Sequence, residues 1–277
     1  MSREILEKYK IKAKKKLGQN FLVSKKVVTE ISEVIEVENK NIIEVGPGYW
    51  ALTEKLLERN PKSLHLVELD PDMIAILEDR IDNWDLIIWE TDFKINRKDI
   101  LKYVPSPSLS LEGEEYKYDV IANIPYYITS PILRHFLYDL DNKPDNMVIL
   151  MQQDVWEKIL KSNRNKTSVL SLLVDKKASV TGQIFVSKDN FVPAPKVESS
   201  VLLFESHDLY DDIADEKFLK IIKTWFAAAR KKLSKNLEKW WFDKKQVIEI
   251  LESMWYNDNS RWEDLNIKDW CELVSKL

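Results

Sequence analysis

Glycine is scarce in this 277-residue chain, with 5 residues where ordinary usage of about 7% would give roughly 19. Cysteine is scarcer still. The single Cys271 excludes an internal disulfide and fits a reducing compartment. The three histidines are scattered along the chain, so no metal site is expected. No stretch approaches the roughly 18 consecutive apolar residues of a membrane-spanning helix. The charged segment from Met1 to Lys16 has no apolar run behind it, so it is not a secretory signal. Together these absences predict a cytoplasmic protein with no membrane partner. An excess of positive charge is also missing: Lys and Arg total 42 against 46 Asp and Glu, a net charge of −4. That balance alone argues against a nucleic-acid partner, but distribution matters more than the total. Lys8, Lys10, Lys12, Lys14, Lys15 and Lys16 form one basic cluster, and Arg230, Lys231, Lys232, Lys235 and Lys239 form another. Each is either a solvated helix face or part of an anionic binding surface.

What is present is an ordinary globular composition, 44% apolar and 32% charged. From Asn41 to about Glu205, short β-like runs alternate with helical stretches, the pattern of a doubly wound α/β sheet. Asn41–Val45, Ser63–Leu69, Leu86–Ile88, Tyr118–Ala122 and Met147–Met151 read as five successive strands. Helical spacing follows the first over Ala51–Leu57 and the second over about Pro71–Arg80. Pro105 to Glu115, rich in Ser, Pro and Glu, reads as a surface loop. After Ser206 the pattern is helical, over Glu216–Asn236, Lys244–Ser253 and Ile267–Leu277. The boundary is therefore expected at 205/206, dividing an α/β domain (1–205) from a small all-helical one (206–277).

Three clusters at predicted strand ends carry chemistry. Glu44-Val45-Gly46-Pro47-Gly48 closes the first strand, where glycines permit a sharp turn and close approach of a ligand. A dinucleotide fingerprint would need a third glycine three residues on, and that position is Ala51. Glu68, at the end of the second strand, is placed to accept hydrogen bonds from both hydroxyls of a ribose. Asp92, after the expected third strand, is an acceptor for an adenine amine. A glycine turn followed by two strand-end acids outlines an adenosine-shaped pocket. The third cluster, Asn123-Ile124-Pro125-Tyr126, follows the fourth strand. The lone pair of an exocyclic adenine amine is delocalised into the ring, and acceptors aimed at its hydrogens can pyramidalise the nitrogen. Asn123 offers such an acceptor, Pro125 stiffens the turn, and Tyr126 offers a stacking face for an extruded base.

Gly18-Gln19-Asn20-Phe21-Leu22, Glu44–Gly48 with Leu52-Thr53, Asn123–Tyr126 and Phe191-Val192-Pro193-Ala194-Pro195-Lys196-Val197 occur in that order. In this the chain resembles the ribosomal RNA adenine N6,N6-dimethyltransferase family, from about Leu17 to the C-terminal helices. Leu17–Leu22 and Ala229-Arg230-Lys231-Lys232-Leu233 are most similar to the housekeeping small-subunit branch. The resemblance implies a Rossmann-like class I methyltransferase sheet with S-adenosylmethionine as cofactor, bound by Asn20, Leu22, Gly46, Glu68, Asp92 and Asn123. It implies Asn123, Pro125 and Tyr126 as the catalytic turn and Phe191 as a second aromatic face on the adenine. The substrate implied is ribosomal RNA within a small subunit or its precursor, with the helical domain helping to dock it. A monomer is the default expectation. Competing readings are the sister branch, which methylates large-subunit RNA and confers antibiotic resistance, and an RNA-binding assembly factor impaired in catalysis. A nicotinamide-dependent dehydrogenase is disfavoured by the missing third glycine.

One departure accompanies the shortage of glycine. The family usually has Gly or Ala where this chain has Trp50, a bulky residue that either crowds the methionine end of the cofactor or points away. The chain has 10 Trp, many where turn chemistry would suit glycine: Trp84, Trp89, Trp240-Trp241, Trp255 and Trp262. A codon read as tryptophan in one genetic code and as glycine in another, such as UGA, would produce this pattern.

Overall fold

The computed structural model describes the chain except residues 1, 84–87, 89, 106–115, 161–166, 227–241 and 258. The basic cluster at 230–239, Leu86 and Ile87 of the expected third strand, and Trp84, Trp89, Trp240 and Trp241 therefore lie outside the described residues. The chain divides into two compact units, Met1–Trp156 with Val180–Ser206, and Glu157–Ser179 with His207–Leu277. The expected boundary at 205/206 had left Glu157–Ser179 with the first domain; that segment instead packs with the C-terminal helices.

In order, the strands of the chain are β1 (Phe21–Leu22), β2 (Asn41–Val45), β3 (Ser63–Glu68), β4 (Asp92–Arg97), β5 (Asp119–Asn123), β6 (Asn146–Gln152), β7 (Ala178–Val186), β8 (Phe191–Val192) and β9 (Ser199–Ser206). The helices of the first unit begin with α1 (Ser2–Lys8), α2 (Lys25–Ser32), α3 (Ala51–Leu57), α4 (Pro71–Asp82) and α5 (Thr129–Arg134). The main sheet runs β4-β3-β2-β5-β6-β9-β7. β2 to β6 are parallel through the centre, and β9 is antiparallel to β6. Strands β2, β3 and β4 build outward in one direction, and β5 returns to the other side of β2. The reversal leaves a crevice at the carboxyl ends of β2 and β5, where open α/β sheets bind ligands.

Burial explains why these segments are strands. Ile42, Ile43, Leu64, Leu66, Val120, Ile121 and the run Met147–Met151 are 0% exposed, as expected for parallel strands covered on both faces. Each such side chain contributes roughly 1.5–3 kcal/mol of burial. The helices carry their own start signals. Asp70 caps α4 by accepting from Asp72 N–H at 3.0 Å, Pro71 occupies its first turn, and Met73, Ile74 and Leu77 form its buried stripe. Ser24 caps α2, which buries Val27, Val28 and Ile31.

The third strand corrects the sequence reading. It lies over Asp92–Arg97, where Phe93 and Ile95 alternate with polar residues; of the expected run Leu86–Ile88 only Ile88 is described, and it is not in a strand. Beyond the expected strands, β7 and β9 extend the sheet, and β1 pairs with β8 in a separate two-stranded sheet, Leu22 opposite Phe191.

In the second unit, α6 (Gln153–Ile159) leads in from the first, and α7 (Val169–Asp175), α8 (Asp215–Phe226), α9 (Lys244–Ser253) and α10 (Ile267–Lys276) follow. Phe218, Ile222, Val247, Trp270, Leu273 and Val274 form its core. Asn266 and Asp269 close a reciprocal cap on α10. Lys176 and Lys177 are buried and neutralised by Asp215 and Asp211, at 2.6 and 2.5 Å. Among the described residues, no helix is long and apolar enough to cross a membrane.

Among the described residues, two tryptophans sit on left-handed backbone. Trp50 has φ +70° and precedes α3. Trp255 has φ +66° just past α9. There its N–H reaches Glu252 C=O at 3.0 Å and Tyr256 N–H reaches Leu251 C=O at 2.9 Å, the helix-ending arrangement in which glycine is favoured.

Candidate functional site

A cavity of about 350 Å³ opens at the β2/β5 crevice, within the range of small-molecule sites. Its floor is the turn after β2. Gly46 has φ +67°, a conformation that costs other residues about 1–2 kcal/mol, and its N–H reaches Val67 C=O at 3.0 Å. A side chain there would also approach Asn123 C=O, 3.5 Å from an added Cβ. Asn20, Leu22, Gly46, Glu68, Asn123 and Pro125 all line the cavity, brought together from four separated segments.

Glu68 is 9% exposed. Its Oε1 accepts from the N–H groups of Leu69 (2.8 Å) and Asp70 (2.7 Å), while Oε2 has only a long 3.4 Å approach from Gly48 N–H. Burial raises its pKa, and the backbone N–H groups oppose the rise. Acceptor capacity remains on this buried carboxylate, which suits it to a sugar diol. Glu44, 1% exposed, accepts from the Thr53 hydroxyl at 2.7 Å. Burial pushes its pKa up to about 8.

Asp92 is not part of this site. It pairs with Ser63 at the start of β3, whereas Glu68 pairs with Arg97 at the other end. Five residues of strand, about 16 Å, separate it from the cavity edge. It faces His65 instead, Oδ2 to Nε2 at 3.6 Å. Asp99, just past β4, lines the cavity in its place and accepts from Leu101 N–H at 3.1 Å. The signal for it was available: alternation over Asp92–Asn96 marks the strand, so the strand-end acid is the next Asp along.

Phe191 also departs from expectation. It is 3% exposed, packed in the core of the first unit, and its ring has no open face for a base. The backbone of Tyr126 begins the 3-10 turn Tyr126–Ile128 directly after Pro125, and its side chain lies outside the described residues. Tyr127, to which no sequence motif pointed, is 62% exposed and lines the cavity. Trp50 points away from the cavity. It is 0% exposed, its indole N–H has no hydrogen-bond partner among the described residues, and the Arg80 guanidinium lies 5.9 Å from the ring.

The residues present fit S-adenosylmethionine. A buried carboxylate with a free acceptor edge suits the ribose, and Asp99 suits the adenine amine. Leu52, Ile100 and Leu101 give the cavity apolar walls, and Asn20 and Asn123 add amide groups. Sheet order, crevice and donor set together define a Rossmann-like class I methyltransferase.

The comparisons with known proteins narrow that class. The family model for ribosomal RNA adenine dimethylase matches residues 10–277, and the chain belongs to this family. The ribosomal RNA small subunit methyltransferase A of Prochlorococcus marinus (strain MIT 9312) is 36% identical, covering 94% of each chain. The protein of the same name from Mycoplasmopsis synoviae (strain 53) is 35% identical, covering 92% of this chain and 93% of its own. Among solved structures, a dimethyladenosine transferase from Plasmodium falciparum superposes with a TM-score of 0.74 at 22% identity, covering 91% of this chain and 95% of its own. The 23S rRNA methyltransferase ErmE gives 0.70 at 19%, covering 93% and 99%. At those identities the two structures bear on the fold alone.

Proposed function

We propose that this enzyme modifies small-subunit ribosomal RNA, presented in the small ribosomal subunit or its precursor, and that it acts as a cytoplasmic monomer. As a ribosomal RNA adenine dimethylase it transfers two methyl groups to adenine N6, with S-adenosylmethionine as cofactor. The observation that carries the site assignment is the convergence of Glu68, Asp99, the Gly46 turn and Asn123 on one cavity.

In this reading Glu68 accepts from the ribose hydroxyls and Asp99 from the cofactor's adenine amine, while Asn20, Leu22 and Gly46 form the wall and floor. The cofactor supplies an electrophilic methyl group on a sulfonium. Asn123 holds the target. Its side-chain oxygen accepts from one N6 hydrogen and draws the nitrogen out of conjugation, so that the lone pair faces the methyl carbon. Pro125 donates no hydrogen bond and keeps φ fixed, at −58°, so the turn holds its direction. The proton that N6 would lose on methylation would pass to water, because the neutral Asn123 amide cannot take it. The roles of Tyr126 in stacking the base and of the helical unit in docking RNA rest on sequence position and on the basic run Arg230–Lys239.

The test is methyl transfer from labelled S-adenosylmethionine to small ribosomal subunits lacking adenine dimethylation, with the product base identified by mass spectrometry. Dimethyladenosine in small-subunit RNA is expected. Asn123→Ala is expected to abolish transfer and largely spare RNA binding, and normal turnover by that variant would overturn its role.

A further inference from the structure

The loop before β1 is tied to the strand end that bears Glu68. Lys14 Nζ reaches Asp70 Oδ1 at 2.6 Å and Asp72 Oδ2 at 2.5 Å. Gln19 Nε2 donates to the other Asp70 oxygen at 2.8 Å, and Gln19 Oε1 accepts from Lys14 N–H at 2.8 Å. Asp70 is 1% exposed, and its own N–H is bound by Glu68 Oε1. The same loop meets the opposite side of the cavity. At Gly18, φ +61°, an added Cβ would lie 3.2 Å from the Tyr127 ring and 3.4 Å from Pro125 Cβ. Leu17 to Leu22 thus runs along the cavity between the proposed ribose acid and the Asn123–Pro125 turn.

We infer that Lys14 and Gln19, acting through Asp70, are positioning residues that latch this loop over the cofactor and set how fast the spent cofactor leaves. The inference rests on the cofactor reading above. Two transfers to one nitrogen need two donor molecules, so the spent cofactor must leave the cavity between them. The ties are suited to reversible opening. They are side-chain bonds, each of modest net worth, and Lys14 and Asp72 are partly exposed, 38% and 68% at the side chain, hence sensitive to salt.

The experiment uses the full chain, as parent, Gln19→Ala and Lys14→Met. Calorimetric affinities for S-adenosylmethionine and S-adenosylhomocysteine, and stopped-flow release rates, are measured alongside thermal melting. Gln19→Ala is expected to bind both ligands about tenfold more weakly, as loss of two hydrogen bonds from the closed state implies, with faster release. The parent's affinity is expected to fall with added salt more steeply than that of Lys14→Met. Tryptic cleavage after Lys15 and Lys16, measured without ligand, is expected to accelerate severalfold in Gln19→Ala. Equal affinity, release and cleavage in a folded Gln19→Ala would overturn the latch. Faster cleavage with no cofactor binding by the parent would sink the cavity assignment while leaving the loop tie standing.

Independent observations support a second inference: the geometry points to glycine, not tryptophan, at positions 50 and 255 of the working protein. Both residues have left-handed φ, +70° and +66°. One carries a buried indole N–H without a partner among the described residues, and the other leaves its ring 97% exposed. Among the described residues neither side chain makes a hydrogen bond, and the backbone at each position is one that glycine adopts without strain. The test reads codons 50 and 255 in the coding DNA, with peptide masses of the protein from its natural source. UGA codons with glycine masses are expected; UGG codons, or tryptophan masses, would overturn it.

Discussion

Replacing Trp255 with glycine is expected to stabilise the chain, and the size of the gain follows from the geometry. At φ +66° an L-residue carries a penalty of about 1–2 kcal/mol that glycine escapes. Glycine's freer unfolded chain returns about 0.5–1 kcal/mol of that. The indole is 97% exposed, so almost no burial is forfeited, and both helix-ending hydrogen bonds are made by backbone and survive the change. The net gain is about 0.5–1 kcal/mol. For a chain of this size class it raises Tm by about 1–4 °C. Calorimetric melting of parent, Trp255→Gly and Trp255→Ala at equal concentration and without ligand separates the causes. Alanine also removes the indole but keeps the left-handed penalty, so it is expected to melt near the parent and below glycine. An alanine variant as stable as the glycine one would refute the argument from φ.

Three further outcomes are expected. At Trp50, glycine is expected to be more stable than alanine by about 0.5–1 kcal/mol despite being smaller, since both lose the same buried ring and only alanine keeps the strain at φ +70°; chemical denaturation of the pair decides this, and the reverse order would reject it. Asp99→Ala is expected to raise the KM for S-adenosylmethionine about tenfold through a lost hydrogen bond, while Asp92→Ala leaves it unchanged. The Glu44 pKa, raised to about 8 by burial, means that the folded state holds a proton the unfolded state releases near pH 4.5. Stability is then greatest at and below that lower pH and is lost as pH rises through about 8. Glu44→Gln is expected to remove this decline, seen as a Tm that falls less than the parent's between pH 6 and 9.

Much of the site was legible because it hangs on strand ends, and strand ends follow from composition. Asn41–Val45 and Ser63–Glu68 are short, largely apolar runs stopped by charge or glycine, so the amino-acid pattern alone places Gly46 and Glu68 at strand ends. Asp92 failed for the complementary reason. Leu86–Ile88 is the more apolar run, whereas the true strand at the sheet edge is only half covered and alternates Phe93 and Ile95 with polar residues. Edge strands need less burial, so a search for apolar runs passes over Asp92–Arg97. Phe191 was misplaced because its pairing with Leu22 spans most of the chain, a contact no local pattern encodes. The tie between Gln19 and Asp70 was hidden likewise, since neither residue type signals its partner.

The two-stranded pairing of Phe21–Leu22 with Phe191–Val192 has a consequence for synthesis. Val23 N–H also bonds Asn190 C=O at 2.8 Å, so the wall of the cavity near the N-terminus is stitched to a segment made much later. Strands β2, β3 and β4 can pair as they leave the ribosome, and Lys14 and Gln19 can reach Asp70, but β1 has no strand partner until residues 190–192 have emerged. A nascent chain arrested before that point would carry a formed parallel sheet and an open, cofactor-incompetent crevice. A contact made late in synthesis is then one that completes the wall of the cofactor cavity.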